Sequence, residues 1–176
     1  MLTNMYKSIL FISAFMPLYI ILIVKFYNFD ESIRVNIIEH KYTFLILSIL
    51  ILISILAFLY FLFCELNSEE DIGQVENMNS EILTYFITYI VPLTTLEESN
   101  VNSIIINIIL FFVIGIFYVN SNQFYLNILF TLFGFNVYKD SNGKIIISKK
   151  SADKINNRQA VRVKRVGHKI FIINKK

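Results

Sequence analysis

The 176-residue chain has no tryptophan, two prolines, five glycines, one cysteine and two histidines, and only 16% of its residues are charged. Each shortage excludes something. A single cysteine, Cys64, cannot form an intramolecular disulfide or a cysteine-built zinc site. His40 and His168 stand far apart with no neighbouring ligand cluster, so no metal centre is expected. The sequence contains no glycine-rich phosphate loop, nucleophile elbow or His-Glu metal spacing. No catalytic residue, cofactor or small-molecule substrate is therefore expected. Soluble domains usually carry about 25% charge. This chain falls well below that, and its hydrophobic fraction is 56%.

What the chain does have is apolar blocks. Ser8 to Val24 is interrupted only by hydroxyls and Pro17, and its length gives about 25 Å of helix. Lys25 can snorkel and extend it. Lys25-Phe26-Tyr27-Asn28 is no signal-peptide cleavage site, so a retained helix is expected. Tyr42 to Cys64 contains no charge and is long enough to span a bilayer, with Tyr42 and Tyr60 placed as interfacial anchors. Cys64 reads as a small apolar boundary residue, with acylation the alternative. Ile82 to Leu96 is short and carries Thr84, Tyr85, Thr88, Tyr89 and Pro92. The threonines and the tyrosines are i,i+4 pairs that make adjacent stripes on a helix. Hydroxyls on a buried face can bond across helices, and Pro92 should kink or stop the helix. The segment either spans or turns back inside a protein-lined cavity. Ser103 to Val119 is a clean span whose Asn107 wants a partner. Phe124 to Phe135 is too short to cross and reads as interfacial or re-entrant.

The expected fold is an all-α transmembrane bundle over residues 1–135, about four spans with one short and proline-containing. A small C-terminal antiparallel β domain over 136–176 follows it. Asp140-Ser141-Asn142-Gly143 signals one hairpin. The alternation of Val161, Val163 and Val166 with Arg162, Lys164 and Arg165, followed by Gly167-His168, signals another. Between the spans, Glu65 to Glu81 holds six carboxylates and no cation, and reads as a solvated acidic linker.

Charge is split along the chain. Residues 136–176 carry twelve Lys or Arg against Asp140 and Asp153, a net +10. Positive-inside bias places this domain in the cytoplasm of a multi-pass membrane protein. Four spans put Phe26–Lys41 outside and the acidic linker inside, whereas three spans reverse both. Arg158, Arg162, Lys164, Arg165 and Lys169 are the candidates for contact with anionic lipid, nucleic acid or an acidic partner protein. A merely solvated, retention-enforcing face is the plain alternative. Phe171 is the one aromatic among the last thirty or so residues, which weakens a base-stacking platform.

One family resemblance stands out. It is carried by Glu81-Ile-Leu-Thr84-Tyr85-Phe-Ile-Thr88-Tyr89-Ile-Val-Pro92-Leu93 and by the helix end Ile114-Gly115-Ile116-Phe-Tyr118. Phe124-Tyr125-Leu126-Asn127 and Leu132-Phe-Gly134-Phe135-Asn-Val-Tyr138 follow in the same order. Over roughly residues 80–150 the chain resembles KwaA, the membrane-subunit family of the Kiwa anti-phage system. The resemblance implies a non-enzymatic, homo-oligomeric inner-membrane sensor. It would act with a soluble KwaB-like DNA-binding partner, so that any DNA contact is indirect. On that view Thr84, Tyr85, Thr88, Tyr89, Pro92 and Asn107 shape the bundle or sense membrane perturbation, and the basic domain docks the partner. A small homo-oligomeric channel, with Thr84, Thr88 and Asn107 facing a water path, is the second reading.

Overall fold

Helix formation begins in the first apolar block and is broken by Pro17. In the computed structural model, which describes residues 4–63, 68–97, 99–121, 123–156, 161–167 and 169–173, helices α1 (Asn4–Ala14) and α2 (Met16–Phe26) meet at a 43° bend. Pro17 has no N–H to give to the carbonyl of Ser13, and its ring crowds that carbonyl. Side chains reach the carbonyl one residue earlier, at the break between the helices. The Tyr19 hydroxyl donates to the Ile12 carbonyl at 3.0 Å, and the Ser54 hydroxyl, which donates to the Leu50 carbonyl at 2.7 Å, lies 3.5 Å from the same Ile12 oxygen.

A short helix, α3 (Ile33–Glu39), is capped by Ser32 and leads into α4 (Lys41–Leu62). Strands β1 (Ser68–Glu70) and β2 (Val75–Asn77) come next, then α5 (Asn79–Leu93) and α6 (Val101–Asn120). A 3-10 turn (Gln123–Leu126) and α7 (Ile128–Leu132) return the chain to the sheet. The remaining elements are β3 (Asn136–Asp140), β4 (Ile145–Ser148), α8 (Ala152–Asn156), β5 (Val161–Gly167) and β6 (Ile170–Ile173).

Among the described residues, α4 and α6 are long and apolar enough to cross a membrane, and the bent α1–α2 pair makes a third candidate. Helix α5, at fifteen residues, rises only about 22 Å. Its far end is nonetheless tied to the end of α2. The Lys25 ammonium donates to the carbonyls of Thr94 (2.9 Å) and Leu96 (2.7 Å), beyond the last turn of α5. A cation there complements the negative end of the helix dipole.

The sheet corrects two expectations. It is six-stranded, in the order β1-β5-β6-β4-β3-β2, and mixed, because β4 and β6 run parallel. The two expected hairpins, β3–β4 and β5–β6, both form. The connection through α8 then carries the chain across the sheet, so that the second hairpin docks with β6 against β4. The acidic segment is not a solvated linker either. Its strands β1 and β2 pair antiparallel with β5 and β3 and close both sheet edges, burying Ile72 and Val75. Opposite charge makes this favourable. Arg162 meets Glu69 at 3.5 Å, Lys144 meets Glu70 at 3.0 Å, and Lys139 lies opposite Glu76.

The turn after β3 follows its sequence. The Asp140 carboxylate accepts from the amides of Asn142 and Lys144, and Gly143 takes φ +73°, which suits a residue without a Cβ. Both sheet faces are covered. Val137, Ile145, Ile147, Ile170 and Ile172 join the apolar cluster of the helical bundle. Tyr138, Ile146, Val163, Phe171 and Ile173 form a second core with Ile155 of α8.

Candidate functional site

The junction between bundle and sheet is fastened by polar bonds. Met78, at the N-cap of α5, donates its amide to the Val137 carbonyl at 2.8 Å. Asn79 continues the pairing with its side chain. Its Oδ1 accepts from the Val137 amide at 3.1 Å, and its Nδ2 donates to Asn136 Oδ1 at 2.8 Å. The first turn of α5 is thus fastened to β3 as if β2 ran on for another residue. Movement of this helix cannot occur without disturbing β3.

A second polar link ties α1 to α7. Asn127 is fully buried and caps α7 by accepting from the Leu129 amide at 3.0 Å. Its Nδ2 donates to the Leu10 carbonyl at 3.2 Å and to Ser13 Oγ at 2.8 Å. Phe130 and Phe135 fill the space beneath, against Phe58 and Phe61 of α4. Sequence reading singled out neither Asn79 nor Asn127 as a link. The usable signal was an Asn at the start of each short apolar helix, the first residue of α5 and the N-cap of α7, where the side chain has bonds to spare.

The predicted stripe divides in two. Thr84 and Thr88 are exposed, and each hydroxyl donates to its own helix, to the carbonyls of Ser80 (2.9 Å) and Thr84 (2.8 Å). Among the described residues they make no bond across helices, because the tyrosines take the face toward α6. Tyr85 and Tyr89 contact each other at 4.5 Å between ring centroids, and Tyr85 approaches Tyr118 at 6.4 Å. Among the described residues the buried hydroxyls of Tyr85 and Tyr118 find no hydrogen-bond partner. A cleft of about 180 Å³ lies beside them, lined by Tyr85, Tyr89, Leu110, Val113, Phe117 and Gln123 among others. Pro92 sits in the last turn of α5, which ends one residue later. Thr94 and Thr95 then cap the end by donating their hydroxyls to the carbonyls of Val91 and Pro92. Asn107 donates to the Ser103 carbonyl at 2.9 Å and leaves its own buried Oδ1 unpartnered. One further contact lies behind the stripe. Gly115 lets α6 approach α1 so closely that a Cβ there would meet the Phe11 ring at 2.9 Å.

The basic candidates do not form one patch. Arg162 and Arg165 are exposed and Lys164 is half-buried, on β5, and Lys169 occupies the turn to β6 with φ +61°. Arg158 lies outside the described residues, as do Cys64 and His168. The folded acidic segment also changes the charge. Its four described carboxylates before α5, Glu69, Glu70, Asp71 and Glu76, offset the +10 of residues 136–176 and leave about +6. Among the described residues no group of three His, Cys, Asp or Glu side chains comes together to hold a metal.

A family profile for the anti-phage protein KwaA matches residues 6–172. The chain belongs to the KwaA family. Membership assigns it to anti-phage defence, and it extends the resemblance from the central segment to the whole bundle and sheet. No curated protein and no solved structure matches the chain. The KwaA match therefore covers both polar links, Asn79 to β3 and Asn127 to α1, within one family unit.

Proposed function

We propose that this KwaA-family chain is the non-enzymatic membrane sensor and scaffold of a two-component anti-phage system, homo-oligomeric in the cytoplasmic membrane. It crosses four times, through α1–α2, α4, α5 and α6, with the sheet in the cytoplasm. The Lys25 contact supports a crossing by the short α5, since it puts the far ends of α2 and α5 level with each other. The basic excess of the sheet supports its cytoplasmic placement. A soluble KwaB-like DNA-binding partner docks on the sheet, and the bundle reports membrane perturbation to it.

One observation carries this reading: a single apolar cluster runs from the helices into one face of the sheet, and hydrogen bonds clamp α5 to β3. A displacement of helices within the bilayer must then reach the sheet. The test is affinity purification of the solubilised protein from its host, with Arg165→Glu/Lys169→Glu as the comparison. Truncation at residue 135 is a poorer comparison because it would strand β1 and β2. Co-purification of one soluble DNA-binding protein, lost in the charge-reversed variant, is the expected result. Recovery of the chain alone from both preparations would refute the two-component reading. Thiol labelling of Ser99→Cys and Lys154→Cys on a Cys64→Ser background should mark opposite sides of the membrane.

A further inference from the structure

Strand register sorts the basic residues by face. Residues directly opposite each other on neighbouring strands share a face. Lys139 lies opposite Ile145 and Lys164 lies opposite Ile172. Both isoleucines belong to the apolar cluster that joins the sheet to the transmembrane helices. Lys149 is on the same side, with its ammonium 4.7 Å from the centroid of the buried Phe135 ring. Arg162 shares the face but is engaged by Glu69. Glu76, opposite Lys139, is the other carboxylate there, so cations outnumber carboxylates four to two. By contrast Arg165, opposite Phe171, is on the far face, and Lys154 is on α8, which covers that face.

The same junction exposes apolar side chains that a cytoplasmic surface would not leave in water. Leu132 and Phe133, at the end of α7, are 63% and 52% exposed, and the Phe133 ring packs 4.7 Å from that of Phe58 on α4. Apolar wedges flanked by lysines on one side of a fold are the arrangement of an interfacial membrane anchor. We infer that the bundle-facing side of the sheet binds anionic phospholipid headgroups through Lys139, Lys149 and Lys164, while Leu132 and Phe133 enter the acyl region beside them. The inference rests on the proposed placement of the sheet against the cytoplasmic leaflet. It leaves the far face for the soluble partner. Each lysine close to an anionic surface contributes about a fivefold preference for anionic over zwitterionic lipid.

The absence of tryptophan makes the test direct, because Phe133→Trp supplies a lone tryptophan, excited selectively beyond the tyrosine band, in the full-length protein. The protein is reconstituted in phosphatidylcholine vesicles containing a minority of brominated lipid, with either a choline or a glycerol headgroup. Brominated phosphatidylglycerol should quench more strongly, and the excess should shrink as salt is raised. Lys139→Gln/Lys149→Gln/Lys164→Gln should abolish the excess, while Lys154→Gln/Lys169→Gln should keep it. Equal quenching by the two headgroups in the unsubstituted background would overturn the inference without touching the placement. Absence of quenching by either lipid would overturn the placement and the inference together.

Discussion

Replacing Asn127 by Ala is the sharpest way to test whether the α1–α7 link holds the junction together. The side chain is fully buried and makes three hydrogen bonds. Loss of a helix cap costs about 1 kcal/mol. A buried partner left without its bond costs a further 1–3 kcal/mol, roughly. The expected destabilisation is therefore about 2–3 kcal/mol, since Ser13 keeps its own bond to the Leu10 carbonyl. Asn127→Ser should retain the cap but lose the reach to α1, and so fall between Asn and Ala. The assay is equilibrium unfolding in mixed detergent micelles, followed by circular dichroism. A double-mutant cycle with Ser13→Ala isolates the interhelical bond, for which about 0.6 kcal/mol, and at most about 1.7, is expected. Strict additivity in that cycle, or a cost for Asn127→Ala of only a few tenths, would refute the link. If the link transmits a signal, Asn127→Ser should also lower protection against phage while the protein still accumulates in the membrane.

Other consequences follow from the same geometry. Gly115→Leu should separate α1 from α6, because even a Cβ meets Phe11 at 2.9 Å; a loss of about 1–3 kcal/mol in the same unfolding assay is expected. Asn79→Ala should leave the Val137 amide without its acceptor and speed hydrogen exchange at the start of β3 before it affects α4. Lys25→Met should fray the end of α5, seen as faster exchange over residues 90–97. Burial lifts the Tyr138 phenol above its ordinary value, and its hydroxyl donates to the Lys150 carbonyl at 2.9 Å. A raised folded-state pKa favours the neutral phenol, so this contribution is constant below the unfolded-state value and is lost as pH climbs past it. Sheet stability should fall in alkali, and Tyr138→Phe should remove that part of the fall.

Much of the bundle was legible because length and lack of charge decide membrane helices almost alone. Tyr42–Cys64 and Ser103–Val119 became α4 and α6 nearly residue for residue. The bend at Phe15 was less legible, since a proline near the centre of an apolar run can kink a helix or start a new one. At the bend the Tyr19 hydroxyl bonds the carbonyl of Ile12, a contact that the run of apolar residues does not signal. The acidic segment misled for a different reason. Val75-Glu76-Asn77 is too short to signal a strand by alternation, and its partner β3 is some sixty residues away. Only the complementary charge of Lys139, Lys144 and Arg162 hinted at the pairing. The stripe of Thr84, Tyr85, Thr88 and Tyr89 had the right spacing, but which half faces α6 is decided by Tyr118, a residue that helical periodicity on α5 cannot reveal.

The folded acidic strands also bear on what the sheet can recognise. A tail of net +10 would follow a nucleic-acid backbone through counterion release, with little need for a defined surface. With Glu69, Glu70, Asp71 and Glu76 drawn onto its edges, the net charge falls to about +6, and Arg162 and Lys144 are each paired with a carboxylate. Phosphate tracking weakens with each cation so engaged, whereas recognition of a shaped partner gains from charges held in fixed register on paired strands. This favours contact with DNA through a soluble partner over contact by the sheet itself. Charge reversal at Glu69 and Glu76 gives the argument its test. Glu69→Lys/Glu76→Lys should create salt-sensitive DNA binding in the purified protein, absent from the parent. Strong DNA binding by the parent would show that the edge strands do not screen the sheet.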